Sequence, residues 1–344
     1  MASLKLMVWN TAWMNDLFDA NGKFRTANSH PQHEPSSTIK QRRDQLSAVI
    51  DESDADVIVI IEGPNSTAEL QRFFDLDVTG KWQAFLQNTA GSSQCIGCAV
   101  RTDRGALHPT QPLLAFDTTT RLEFQPFHIQ DESDGLETAF SFERLPLYVE
   151  IRMADGAAFR ILGLHLKSKG IFSAYEWSKW WAVADAARKK ILAQTTQVRT
   201  AFLDPYLTDP ATAGIPLVVC GDINDGPGLD ASEKKLLGSG IERLMGNVWR
   251  PRLCLGNALY DALPEKDRRA QNFASLYTVA FRDPIFNNMT HEEWIDHILY
   301  TCPPGGKPFV QDGAVMRNAA NSKDLLKTYK YASDHYPVVA RIVL

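Results

Sequence analysis

The sequence predicts an α/β fold, and three observations carry that expectation. Runs rich in β-branched residues alternate with stretches of helical periodicity. No repeat, low-complexity tract or linker divides the 344 residues, so one domain spanning 1–344 is expected. A chain of that length buries a substantial core without splitting. The third observation is where the apolar runs stop: on carboxylate, amide and imidazole side chains.

Taken in order, LKLMVWN (4–10) alternates as a strand. TIKQRRDQLSAVI (38–50) places Ile39, Leu46, Val49 and Ile50 at helical spacing, with Thr38 and Gln41 as a capping box. DVIVIIE (56–62) is a nearly continuous β-branched run, as in a strand covered on both faces. LPLYVEIRMADGAAFRILGLHL (145–166) reads as a hairpin turning at Asp155-Gly156. A long helix is expected from Tyr175 to Phe202, capped by Ser173 and Glu176. Its core face would carry Trp177, Trp180, Trp181, Ala184, Ala187, Ile191, Thr195 and Val198. IPLVVC (215–220) is a buried strand, a short helix starts at Asp230, and HILYT (297–301) and YPVVARIVL (336–344) close the set. Segments 16–37, 103–143, 250–290 and 303–333 read as long polar loops.

Composition narrows the classes. No run reaches the roughly 18 apolar residues of a membrane span, and the N-terminus lacks a secretory pattern, so a cytoplasmic protein without a membrane partner is expected. Five cysteines, an odd number, argue against a disulfide framework. Cys95 and Cys98 form a CxxC, but GCAVR around them reads as a strand and not as a zinc site. A net charge of -5 gives no bulk attraction to nucleic acid, although local basic patches act over about 8 Å. His30 and His33 fall in a solvated Pro-rich loop, and Arg42, Arg43, Arg188, Lys189 and Lys190 read as wet helix faces.

The strand ends carry the chemistry. The first strand ends at Asn10, the second at Glu62 and the hairpin's return strand at His165, followed by Lys167-Ser168-Lys169. IPLVVC runs into Asp222-x-Asn224, Asp296 precedes HILYT, and Ser333-Asp334-His335 precedes the last strand. Open α/β sheets place their sites at strand ends, so these side chains are expected to converge. A buried carboxylate resists leaving water unless it is paired, protonated or bound to metal. Carboxylate and amide oxygens suit a hard cation, Mg²⁺ or Mn²⁺, better than zinc. Two histidines supply proton transfer and the lysines supply positive charge, which together describe phosphate-ester hydrolysis.

Asn10 in VWNTAW, Glu62 in VIIE, HLKS from 165, GDIND from 221, IDHI from 295 and SDHYPV from 333 resemble a known motif series. In order and spacing, over residues 4–344, it is that of the endonuclease/exonuclease/phosphatase superfamily, the deoxyribonuclease I-like fold. The resemblance implies a four-layer α/β sandwich, two mixed β-sheets packed face to face with helices outside. It implies hydrolysis of a phosphodiester or phosphomonoester by metal-activated water. Carried over by motif, Glu62 is the main Mg²⁺ ligand with Asn10 and Asp334 beside it. Asp222 orients or deprotonates water, Asn224 hydrogen-bonds the phosphoryl oxygens, Asp296 positions His335 on the phosphate, and His165 stands near the leaving oxygen.

The chain departs from the family at Ile61, where Gln is common, and at Gly63 and Pro64, which offer no groove-entering Arg. HLKS lacks the Tyr of the abasic-site repair motif, and WIDHIL is not the inositol 5-phosphatase signature. HLKSK and GDINDGPG look most like the broad bacterial branch, commonly nucleases. The expected activity is Mg²⁺- or Mn²⁺-dependent phosphodiester hydrolysis by a nuclease of low sequence specificity acting on DNA, with Lys167 and Lys169 contacting phosphate. RNA and a small phosphorylated substrate stay open as alternatives, as does a silent scaffold.

Overall fold

Alternation at the N-terminus becomes strand β1 (Ser3–Asn10), with Leu4, Leu6 and Val8 on one face and Met7 and Trp9 on the other. Residues 3–91, 93–130, 135, 137–171, 176–283, 289–302 and 307–344 are described by the computed structural model. Helix α1 (Ile39–Ser53) starts at the expected box: Gln41 N–H donates to Thr38 Oγ1 at 3.2 Å and Thr38 N–H to Gln41 Oε1 at 2.9 Å. Strand β2 (Val57–Gly63), helix α2 (Thr67–Asp77), β3 (Trp82–Gln87) and β4 (Cys95–Arg101) complete the first half.

The second half opens with β5 (Leu113–Ala115) and the ribbon of β6 (Phe127–Gln130) and β7 (Glu137–Phe140). The hairpin forms as β8 (Leu147–Arg152) and β9 (Ala158–His165), paired from Leu147–Gly163 to Arg152–Ala158 around Asp155-Gly156. Helix α3 (Trp180–Gln197) and β10 (Leu217–Asp222) follow. Then come β11 (Leu255–Asn257), the ribbon β12 (Val279–Asp283) and β13 (Met289–Glu293), β14 (Asp296–Thr301), β15 (Val310–Val315) and β16 (Val338–Val343).

One six-stranded sheet runs β15-β16-β1-β2-β4-β3 and the other β11-β14-β10-β9-β8-β5. Both are mixed, because β1–β2 and β9–β10 are parallel and their neighbours antiparallel. Inward side chains of the two sheets meet in a shared core that includes Val8, Val59, Ile161, Val218 and Ile298. A second core joins the outer face of the first sheet to α1 and α2 through Leu46, Ile50, Leu70 and Phe73. The third joins the second sheet to α3 through Leu162, Val219, Ala193 and Val198. Helix, sheet, sheet, helix is the four-layer sandwich expected, and each buried aliphatic side chain contributes about 1.5–3 kcal/mol to it.

Several local expectations need correction. The helix after the hairpin begins as a 3₁₀ turn, Trp177–Lys179, is α-helical from Trp180, and passes into a π-helical turn, Val198–Leu203. Tyr175 and the proposed cap Ser173 lie outside the described residues. The buried stripe starts only at Ala184, so the first turn runs past the layer it covers, leaving Trp180 half-buried and Trp181 61% exposed. Neither is core. Arg42 is not a wet residue either: it is 1% exposed and donates to the carbonyls of Thr11 and Ala12. Arg43 pairs with Asp77 at 2.6 Å and covers the Phe24 ring, Arg188 pairs with Asp230 at 2.8 Å, and Lys190 with Glu143 at 2.6 Å. The loop of His30 and His33 is exposed as expected, with His33 bonded to Asp16 and His30 to the Ser37 carbonyl at 2.7 Å.

Three of the long loops carry structure, since 103–143 holds β5 to β7, 250–290 holds β11 and β12, and 303–333 holds β15 and the helix Leu325–Thr328. Cys95 and Cys98, three apart on β4, point into opposite cores as the strand reading requires. No helix among the described residues is long and apolar enough to cross a membrane.

Gly221 sits where the site begins. Its φ is +132° and a Cβ there would stand 2.0 Å from the Leu164 carbonyl oxygen. Gly221→Ala is expected to destabilise the fold by about 3 kcal/mol or more, read from urea unfolding; a loss below ~1 kcal/mol would contradict this packing.

Candidate active site

Strand periodicity aims most of the site. On β1, Asn10 continues the inward series Leu4, Leu6, Val8; on β10, Asp222 continues Val218 and Cys220. His165 follows Phe159 and Ile161 on β9, and Asp296 precedes Ile298 and Tyr300 on β14. In register, Asp222 lies opposite His165 on one side and Asp296 on the other. That row of three closes the end of the second sheet.

Glu62 breaks the pattern, since Val57, Val59 and Ile61 are the inward residues of β2. A register shift between Ile60 and Gly63 and a left-handed φ of +57° at Glu62 turn the carboxylate back toward the row. Trp13 N–H donates to Glu62 Oε2 at 2.9 Å, and Gln94 Nε2 donates to the same oxygen at 2.5 Å.

Asn10 joins the two sheets. Its Nδ2 donates to Glu62 Oε1 at 3.3 Å and to Asp222 Oδ2 at 3.1 Å, while Oδ1 accepts from Ala12 N–H at 2.9 Å. His165 Nε2 lies 3.8 Å from both carboxylates. Arg144 donates from Nε to His165 Nδ1 at 3.1 Å and sets Nη2 2.7 Å from Nε2. Burial, the Arg144 guanidinium and His335 hold the His165 ring well below the ordinary imidazole range, so it is neutral.

His335 is the opposite case. Burial works against its cation, yet Asp296, whose Oδ2 is 2.8 Å from Nδ1, raises it well above the ordinary value, helped by Asp334 and Asp222. Ser333 Oγ accepts from His335 N–H at 3.0 Å and donates to the Asn10 carbonyl at 2.6 Å. Thr278 Oγ1 accepts from Asp296 N–H at 3.1 Å, fixing the carboxylate's backbone. Burial and the neighbouring Asp296 push the Asp222 carboxyl up to about 7, against the pull of His335 and Asn10.

Thus Asn10, Glu62, His165, Asp222, Asp296 and His335 form one connected set. Asn224 stands behind it: its N–H donates to Asp222 Oδ1 at 2.9 Å and its Nδ2 to the Leu166 carbonyl at 3.1 Å. Asp334 is exposed beside His335. Lys167 is half-buried next to His165, its N–H bonded to Gln194 Oε1 at 3.0 Å. Lys169 is drawn away from a phosphate role, being paired with Asp225 at 2.5 Å and Glu233 at 2.6 Å. His297, read as structural, is buried against Asn257 and the Asp225 carbonyl.

The donor set fits a hard divalent cation. Three carboxylates, Glu62, Asp222 and Asp296, share the cluster, and Asp296 Oδ1 is buried with no hydrogen-bond partner. Asp222, Asp296 and His335 bring ligand-type atoms within 4.8 Å of one another. His335 Nδ1 is already committed to Asp296, so oxygen ligands from Glu62, Asn10 and the carboxylates suit a cation better than that imidazole.

Sequence reading missed Arg144, Gln94, Thr278 and Arg42. Arg144 sits in ERLPL just before β8, but nothing in that spacing points to His165.

No family model and no curated protein matches the sequence. Solved structures do. The chain aligns with TDP2 from C. elegans (TM-score 0.50, 11% identity, 99% of this chain and 75% of that one). D. rerio TDP2 complexed with single strand DNA product aligns at 0.50 and 12% identity, covering 100% of both chains. An endonuclease/exonuclease/phosphatase from Bacteroides vulgatus aligns at 0.50 and 12%, covering 99% of each. The likeness is one of fold: the chain has the endonuclease/exonuclease/phosphatase, deoxyribonuclease I-like fold.

The two histidines should titrate oppositely in metal-free protein. Arg144→Gln is expected to raise the His165 pKa and Asp296→Asn to lower that of His335, both followed by imidazole NMR; unmoved titrations would refute these pairings.

Proposed function

We propose that this chain is a divalent-metal-dependent phosphodiester hydrolase, a nuclease of low sequence specificity acting on DNA. The connected set of Asn10, Glu62, Asp222, Asp296, His165 and His335 supports the reading, because it combines cation ligands with acid–base groups at one strand-end cluster. The Asp296–His335 pair is a charged hydrogen-bonded dyad in its own right. Single strand DNA in one structure of like fold is an analogy of fold, and the substrate is argued from the site.

In this reading Glu62 would hold Mg²⁺ or Mn²⁺, with Asn10 and Asp334 beside it and the free Asp296 oxygen facing the same cluster. Such an ion supplies charge to the phosphoryl oxygens and lowers the pKa of water. Asp222, with its raised pKa, would accept the proton of the attacking water. His335, held cationic by Asp296, would meet the phosphoryl oxygens. His165, kept neutral, would stand at the leaving oxygen with Arg144 bringing the positive charge that Lys169 does not, and Asn224 would hold the Asp222 loop. Lys167 remains in reach of the phosphate track. The net charge of -5 and the absence of Arg at 63 or 64 favour a small phosphorylated substrate as the second reading.

Asp222→Asn and His335→Ala are each expected to lower metal-dependent cleavage by about 10²–10⁴-fold. The assay is a panel of plasmid DNA, RNA oligomers, cyclic nucleotides and phosphoinositides, with and without EDTA. Cleavage retained in the variants or in EDTA would end the reading, and turnover confined to a small ester would replace the nuclease by a phosphoesterase. Lys167→Ala should reduce the salt dependence of DNA binding by about one unit of log–log slope; an unchanged slope takes that residue off the track.

A further inference from the structure

The corner after β1 holds an aromatic pair that hydrolysis leaves unused. Trp13 and His33 stack face to face, ring centroids 3.7 Å apart and planes 7° from parallel. Neither ring belongs to any of the three hydrophobic cores. Both are nevertheless held rigidly. His33 N–H donates to Asp16 Oδ2 at 2.8 Å, and its Nδ1 lies 3.0 Å from the same oxygen of that buried carboxylate. Trp13 has a left-handed φ of +62° after Ala12 at +47°, and the carbonyls of Thr11 and Ala12 are gripped by buried Arg42.

Such a conformation costs about 1–3 kcal/mol for a bulky residue, so the surroundings must over-determine it. What the corner gains is visible at Trp13 N–H, which is bonded to Glu62 Oε2 at 2.9 Å. From that nitrogen the indole is three bonds of about 1.5 Å away, which keeps the ring within ~9 Å of the Glu62 carboxylate. A nucleotide spans that separation between its phosphate and its base. Trp13 is half-buried and His33 is exposed, with 32% of its side chain open to solvent, so the pair is not sealed inside the fold.

We infer that the Trp13–His33 stack is a base-stacking platform, taking the planar nucleobase attached to the phosphoryl group held at Glu62 and His335. The inference rests on the phosphodiesterase reading and deepens it by naming a subsite. Every base presents a π-face, so stacking there tolerates any sequence while rejecting substrates without a ring. Two aligned, immobilised rings lose little conformational freedom when a third is added.

Calorimetric titration of the 344-residue chain in Mn²⁺ with adenosine 5′-monophosphate and with ribose 5-phosphate tests it. The wild type is expected to bind the base-bearing ligand about tenfold more tightly. His33→Leu should erase that preference and leave ribose 5-phosphate unchanged, whereas His33→Phe, which keeps a ring, should retain it. A wild type that cleaves DNA but binds both ligands equally overturns the platform alone. Variants that weaken both ligands together overturn it too, since that is the mark of a merely structural pair. A wild type that binds neither ligand and cleaves no phosphodiester overturns the phosphodiesterase reading, and the platform with it.

Discussion

Two buried carboxylates, Asp222 and Asp296, and the half-buried Glu62 are brought to one cluster by strands of two different sheets, and the cost of that burial governs what surrounds them. An uncompensated buried carboxylate costs several kcal/mol, a large share of the net stability of a domain. Compensation here is local and incomplete. Asn10 donates to two of the three, Trp13 and Gln94 donate to Glu62, and His335 pairs with Asp296. One oxygen of Asp296 has no partner, and Asp222 is pushed up to about 7. A cluster that protein groups neutralise only in part is one whose remaining charge suits a cation.

The same burial separates the two histidines. Both are buried beside the acidic cluster, and burial alone would lower both titrations. Arg144 on His165 and Asp296 on His335 drive them in opposite directions, leaving a neutral ring and a cationic ring at one site. Groups whose environments push their titrations apart can divide acid and base duties near neutral pH. The motif resemblance already implied Asp296 beside His335, 39 residues away, whereas Arg144, 21 residues from His165, is visible only in the fold.

What the sequence showed and what it hid follow from that distance. Alternation made β1 and the β8–β9 hairpin legible and continuous apolar runs did so for β2 and β10, and the residue continuing the inward series of β1, β9 and β10 enters the strand-end cluster at Asn10, His165 and Asp222. The Thr38–Gln41 box and the Asp155-Gly156 turn were legible because their causes are local. Lys169 misled because its neighbours in sequence are His165 and Lys167, while its neighbours in space are Asp225 and Glu233. Arg42 misled in the same way, since helical spacing shows a face and not what packs on it. Short strands such as β5 and β11 carry too few residues for periodicity to register, so loops were expected there.

Backbone strain is the remaining term. Of ten non-glycine residues with left-handed φ among those described, five are Ala12, Trp13, Glu62, Gln94 and Asn224. At about 1 kcal/mol each, the low end for such residues, they sum to roughly 5 kcal/mol, comparable with the lower range of a domain's net stability. Strain of that size persists only because the strands behind it are pinned by cores on both faces. The rigid sandwich therefore does more than carry the side chains to one end: it holds the turns after β1 and β10, the end of β2 and the residue before β4 in conformations they would leave if free. Glu62 shows the consequence most directly, because an extended backbone at that position would aim the carboxylate at the outer core, away from Asn10 and Asp222.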